Sequence, residues 1–174
     1  EGTDVPLWIL GSSTDSAHLA AALGLPYVFA SHFAPAQLMP ALQIYRENFT
    51  PSDQLAEPYV MTCVNIVAAE TDDQAEWLST SMKQMFMGIV TGNRKPLQPP
   101  VDDMDAIWNL HEKTAIGQML SCSFIGSKAT IKKELTGFLE KTGSNEIMIA
   151  SYLYDHQQRL KSHRLFAEMM NGDA

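Results

Sequence analysis

The chain has 174 residues, of which 45% are hydrophobic and 18% charged, a balance that predicts one folded domain rather than a disordered chain. Its net charge is −8 and it has no stripe of Lys and Arg, so we expect no nucleic-acid partner. No apolar run approaches the ~20 residues of a membrane span, and residues 1–4 lack the basic start of a signal peptide. We therefore expect a soluble, cytoplasmic protein with no membrane partner.

The first predicted strand, Leu7 to Leu10, is a short apolar run that we expect to be buried. It leads into a turn of small residues and then into an alanine-rich helix over 15–23, which ends at Gly24. The small residues are Gly11, Ser12, Ser13 and Ser16. Gly11 lets the chain bend without a side chain in the way, and the helix start offers N–H groups and hydroxyls to an anion. An ordinary helix cap also explains the local pattern, because serine is a preferred capping residue. The pattern alone leaves both interpretations open, with the cap favoured.

Three further strands and four further helices are predicted along the chain. The strands are Tyr27 to Ala30, Tyr59 to Ala68 and Glu146 to Ala150. The helices begin near Pro35, after Asp72 and Asp73, after Gly126-Ser127, and after Asp155 as the capping residue. Residues 91–105 read as an irregular insertion rich in Gly and Pro, long enough to act as a lid or a contact surface.

The alternation of strands and helices predicts an α/β fold with right-handed βα units on a parallel sheet. A doubly wound sheet could be complete with these strands, whereas a (β/α)₈ barrel needs eight strands and about 250 residues. The chain starts without Met and enters its first strand after a few polar residues, so we expect it to have been cut from a longer protein. Cys63 and Cys122 lie in separate apolar segments and are predicted to be reduced core thiols, and no residue spacing predicts a metal site.

The chain resembles the bacterial luciferase-like flavin-dependent monooxygenases over essentially its whole length. The strongest segment runs from Val5 through Gly11-Ser12-Ser13 and Gly24-Leu25-Pro26 to Ser31-His32-Phe33. Supporting segments are Phe124-Ile125-Gly126-Ser127 and Ser151-Tyr152-Leu153-Tyr154-Asp155-His156. The resemblance is to the C-terminal half of these proteins, and it implies a single domain, 1–174, that supplies about four βα units of a (β/α)₈ TIM barrel.

The resemblance implies a flavin site at the carboxyl ends of the strands. Members hold reduced FMN or, in a sister branch, deazaflavin F420, and the segment Gly11, Ser12, Ser13 and Ser16 would bind the flavin phosphate. Ser31 and Phe33 would lie near the flavin ring or the substrate, and His32 would be the catalytic residue that donates a hydrogen bond or a proton. A structural histidine at a strand end, satisfied by backbone carbonyls, is the alternative for His32. An arginine of the missing N-terminal half would complete the phosphate site.

The implied function is oxygenation of a small organic substrate by reduced FMN and O₂, in a homodimer supplied by a flavin reductase. Because half of the strands are missing, we expect the chain to associate with the N-terminal half or with a second chain, and to be inactive alone. Two alternatives remain: a non-catalytic flavin-binding protein on the same scaffold, and a flavodoxin-like domain that binds a phosphate-bearing ligand.

Overall fold

The computed structural model describes residues 5–172 and shows five strands and six helices there. The strands are β1 (Ile9–Gly11), β2 (Tyr27–Phe29), β3 (Val60–Ala68), β4 (Ser123–Gly126) and β5 (Glu146–Ala150). The helices are α1 (Thr14–Leu23), α2 (Leu38–Glu47), α3 (Asp72–Val90), α4 (Leu110–Met119), α5 (Lys128–Thr142) and α6 (His156–Asn171). Residues 1–4, on which the absence of a signal peptide was argued, lie outside the described part.

The strands form one sheet in the order β1-β2-β3-β4, and β5 also pairs with β3. The pairings β1–β2, β2–β3 and β3–β4 are parallel, with Ile9 opposite Tyr27 and Tyr27 opposite Val60. The first part of β3 pairs with β2 and its last part, from Asn65, pairs with β4. The predicted α/β class with a parallel sheet is confirmed.

The chain divides into two compact units. The first comprises residues 5–64 with Leu139–Met148, and its fully buried side chains include Tyr27, Phe29, Leu42 and Tyr45. The second comprises Asn65–Phe138 with 149–172, and its core is built from the inner face of α3 with β3, α4 and the segment before α6. Methionines of α3 lie in or against this core, because Met82 is fully buried and Met85 packs against the cluster.

Helix boundaries agree with the local signals. Gly24 ends α1 in the left-handed conformation, with φ of 62°, and Asp155 caps α6 by accepting the Gln158 N–H at 2.8 Å. A 3-10 turn over Pro35–Gln37 leads into α2, so Pro40 lies in the first turn, where its missing N–H is tolerated.

Three predictions about elements were wrong. The first strand is not buried, because the exposed fractions of Leu7 and Leu10 are 64% and 67%, as expected of a strand at the edge of the described sheet. β4 was read only as a helix start, since its four residues are too few for a strand pattern. α4 was missed because it buries one side chain, Ile116, and so shows no apolar periodicity.

The irregular insertion extends beyond 91–105 to the start of α4 and is tied to α3. The Val101 N–H donates to Thr80 Oγ1 at 2.9 Å, and the Trp77 indole N–H donates to Asp102 at 2.9 Å. Gln84 adds a hydrogen bond to the carbonyl of Pro99. This segment therefore lies along the outer face of α3.

Within residues 5–172, no helix combines the length and apolar character that a membrane crossing requires.

Candidate functional site

The turn between β1 and α1 is held together by hydroxyl groups. Ser16 Oγ donates to the carbonyl of Ser13 at 2.6 Å and lies 2.9 Å from the phenol oxygen of Tyr27. The Tyr27 hydroxyl is also within 3.2 Å of the same carbonyl. Ser16 thus faces into the turn, and the carbonyl of Ser13 has two donors within reach.

Gly11 is required here for space rather than for an unusual backbone angle. A Cβ atom at position 11 would lie 2.0 Å from Ser16 Oγ and 2.2 Å from Ser16 Cβ, while no positive φ is found at this glycine. The end of β1 and the first turn of α1 can therefore approach closely only with glycine at this position.

The first turn of α1 has backbone donors that its own residues do not satisfy. Ser13 has the extended backbone of a capping residue, with φ of −136° and ψ of 165°, but its side chain makes no capping hydrogen bond. In contrast, Thr71, Asn109 and Asp155 cap α3, α4 and α6 with their side chains. The N–H groups at the start of α1 can therefore donate to an anion from outside the turn, and the exposed carboxylate of Asp15 is the one charge in that turn that opposes such an anion.

A second turn of the same type, at the start of α5, is already filled. Asp72 Oδ1 accepts the Ser127 N–H at 2.7 Å and Asp72 Oδ2 accepts the Thr130 hydroxyl at 3.0 Å. These bonds hold the pKa of Asp72 below its usual value. The carboxylate thus occupies the position that an anion would take, and the sequence analysis missed this role of Asp72.

Ser31, His32 and Phe33 follow the carboxyl end of β2, as predicted. Ser31 is fully buried, and its hydroxyl donates to the carbonyl of Cys63 at 2.6 Å. The His32 N–H donates to the same carbonyl at 2.7 Å. Phe33 has 52% of its side chain exposed and so offers an apolar ring at the surface of this unit.

The side chains of His32 and Cys63 are uncharged near neutral pH. Burial lowers the pKa of the His32 imidazole, which favours the neutral ring that has one donor and one acceptor nitrogen. Burial also raises the pKa of the Cys63 thiol to about 11, so this cysteine is a poor nucleophile and is a core thiol as predicted.

Asn65 and Tyr152, two further residues near strand ends, have structural partners. Asn65 is buried and its amide donates to Ser123 Oγ at 3.0 Å. Tyr152 packs edge-on against Phe86, and Tyr154 is 55% exposed.

A cavity of about 440 Å³ lies between α3 and the irregular insertion, lined by Trp77, Asp102, Trp108 and Lys113 among others. No predicted site residue lines it.

Tyr27 is the residue at the site that the sequence analysis missed. It was read as the apolar start of β2, yet its buried phenol reaches the β1–α1 turn. The available signal was its residue type, because a buried tyrosine hydroxyl needs a hydrogen-bond partner.

A family model described as luciferase-like monooxygenase matches residues 1–146, which include the turn at Gly11 and the strand end at His32. The chain belongs to the luciferase-like monooxygenase family. A luciferase-like monooxygenase of Escherichia coli (strain K12) is 47% identical over 164 residues, covering 94% of this chain and 49% of that protein. The uncharacterized protein YvbT of Bacillus subtilis (strain 168) is 46% identical over 169 residues, covering 97% of this chain and 50% of its own length. The chain spans about half the length of these curated relatives.

Several solved structures share the fold. The crystal structure of apo-MsnO8 has a TM-score of 0.80 at 27% identity, covering 98% of this chain and 53% of that one. The oxygenating constituent of 3,6-diketocamphane monooxygenase from Pseudomonas putida, solved in complex with FMN, has a TM-score of 0.61 at 15% identity, covering 94% and 47%. An F420-dependent secondary alcohol dehydrogenase has a TM-score of 0.56 at 14% identity, covering 97% and 50%. The chain thus matches about half of a TIM-barrel protein, as predicted.

Proposed function

We propose that this luciferase-like chain is the C-terminal half of a flavin-dependent monooxygenase, and that its β1–α1 turn binds the phosphate of FMN. The observation that carries the proposal is the start of α1, where Gly11 permits a close turn and no capping side chain satisfies the backbone N–H groups. A phosphate dianion gains charge-assisted hydrogen bonds and the favourable end of the helix dipole there.

The donor chemistry fits a phosphate. Ser12 and Ser13 contribute hydroxyls beside the N–H groups that no capping side chain satisfies, and the net charge of −8 does not oppose binding because the interaction is local. The start of α5 does not fit, because Asp72 already accepts its donors. The remaining phosphate donor, an arginine by the family resemblance, would come from the N-terminal half.

In this proposal, reduced flavin supplies the electrons with which O₂ oxygenates a small organic substrate. The protein orients the flavin and excludes water. Ser31 and the His32 N–H fix the chain after β2 on the carbonyl of Cys63, which positions the neutral His32 ring to hold or pass a proton. Phe33 offers its exposed ring to the flavin or the substrate.

The test is a titration of flavin into the longer protein of which, by this proposal, the chain is the C-terminal half. Loss of the hydroxyl in Ser13→Ala removes a bond to a charged group, which corresponds to about a tenfold weaker affinity for FMN. Ser127→Ala is the matched control, because Ser127 also precedes a helix after a strand and a glycine but faces Asp72. Equal FMN affinity in unaltered protein, Ser13→Ala and Ser16→Ala would contradict the proposal.

Parallel measurements separate the alternatives. Tighter binding of F420 than of FMN would assign the chain to the deazaflavin branch. Stable FMN binding without oxygenated product, in the presence of a flavin reductase and candidate substrates, would favour a non-catalytic flavin-binding protein.

A further inference from the structure

Tyr27 is placed to control the hydrogen-bonding state of Ser16. The tyrosine is fully buried at the start of β2, directly opposite Ile9 of β1 in the parallel register. Its ring packs against Tyr45 at 5.2 Å between centroids and edge-on against Phe29 at 6.2 Å. These contacts hold the phenol under the β1–α1 turn.

The protons of this cluster can be counted. Ser16 has one hydroxyl proton, and the 2.6 Å contact assigns that proton to the carbonyl of Ser13. Ser16 Oγ then accepts the hydrogen bond that the Tyr27 hydroxyl donates across 2.9 Å. In this arrangement Ser16 has no proton left to donate to a ligand.

The alternative arrangement needs little movement. Tyr27 Oη is already 3.2 Å from the carbonyl of Ser13, so its proton can replace that of Ser16 there. The carbonyl stays satisfied, and the proton of the Ser16 hydroxyl becomes available to another acceptor. Without this replacement, the part-buried carbonyl of Ser13 would lose its donor, which would oppose the change.

We propose that Tyr27 is a positioning residue for phosphate binding: it takes over the hydrogen bond to the Ser13 carbonyl and thereby frees the Ser16 hydroxyl to donate to the flavin phosphate. This inference rests on the proposed function and adds a residue to it. Tyr27 itself does not touch the phosphate.

The test compares FMN with riboflavin, which lacks the phosphate, in the same longer protein. In Tyr27→Phe, Ser16 must keep its bond to Ser13, so we expect FMN affinity to fall about tenfold while riboflavin affinity is unchanged. Ser16→Ala alone should lower FMN affinity by a similar factor. The double variant with Tyr27→Phe should bind FMN little more weakly than either single variant, because both changes remove the same phosphate contact. Tyr45→Phe is the matched control, since its phenol is also buried but bonds to Leu25 and Tyr59.

The outcomes distinguish this inference from the proposed function. If Ser13→Ala weakens FMN binding and Tyr27→Phe does not, or if Tyr27→Phe weakens FMN and riboflavin equally, the role of Tyr27 is wrong while the phosphate site stands. If the unaltered protein binds riboflavin as tightly as FMN, both the phosphate site and the role of Tyr27 are wrong. Should Tyr27→Phe fail to fold, the ¹³Cζ resonance of Tyr27 in unaltered protein decides: it should shift on addition of FMN and not of riboflavin, and identical shifts would overturn the inference.

Discussion

Gly11 and Ser16 approach so closely that position 11 has no space for a side chain. The added Cβ would lie 2.0 Å from Ser16 Oγ, and a serine side chain is too short to move aside without leaving its bond to Ser13. The requirement for glycine at this turn is therefore steric, and it acts directly on the residue that we propose to contact the phosphate.

Gly11→Ala should lower both the stability and the FMN affinity of the protein. Overpacking of this kind costs about 1–3 kcal/mol, measurable as a shift in the denaturation midpoint. Gly137→Ala is the control, because a Cβ on Gly137 in α5 meets no atom within 4 Å and an alanine in a helix should stabilise by about 0.4–1 kcal/mol. Unchanged stability in Gly11→Ala would show that the Ser16 side chain can move away from the added Cβ without loss of folding free energy.

In the second unit, a carboxylate in the first turn of α3 caps the start of α5. Asp72 lies in the first turn of α3, yet both of its oxygens bond to the start of α5. Because the folded-state pKa of Asp72 is lowered, its stabilising effect is fully present above the ordinary value of 3.8 and is lost as the pH falls through the lowered value.

Asp72→Ala should therefore lower the melting temperature at neutral pH, and the difference from unaltered protein should narrow below about pH 3.8. Asp73→Ala is the matched control, since Asp73 also lies in the first turn of α3 and shares its dipole effect. Thermal melts of the three proteins across pH give the comparison. An equal decrease in melting temperature in Asp72→Ala and Asp73→Ala would mean that the helix dipole of α3, and not the cap on α5, accounts for the effect.

Prediction of the elements succeeded where the signal was local. Gly24 and Asp155 mark helix ends through their own backbone or side-chain chemistry, and both were predicted. β4 and α4 were missed because their identity depends on partners. The four residues of β4 become a strand by pairing with β3 from Asn65 onward, and α4 rests on a single buried side chain.

At the scale of the whole molecule, the exposed side of β1 is what a half barrel would present. Leu7 and Leu10 are exposed there, and β1 is the edge strand of the described sheet. Exposed apolar edges promote pairing with another chain. We propose that this edge meets the N-terminal half of the longer protein and that, in its absence, two copies of the 174-residue chain associate through it.

Leu10→Lys should reduce the self-association of the 174-residue chain, because a charge on an edge strand opposes pairing. Analytical ultracentrifugation over a range of concentrations measures the change. Leu160→Lys, at an exposed leucine of α6, is the control and should associate like the unaltered chain. Monomeric behaviour of the unaltered chain at all concentrations would contradict the proposed role of the β1 edge.

The sequence alone was sufficient to predict the α/β class, the family and the position of the β1–α1 turn, because apolar runs, glycine and serine act through local geometry. That this turn binds a phosphate stays a prediction. The tertiary structure decided the direction of each hydroxyl. Ser16 bonds to Tyr27 from the next strand, and Asp72 bonds to Ser127, 55 residues further along the chain. Such partners become neighbours only when strands pair and helices pack, so local sequence patterns do not reveal which serine is engaged and which helix start is open.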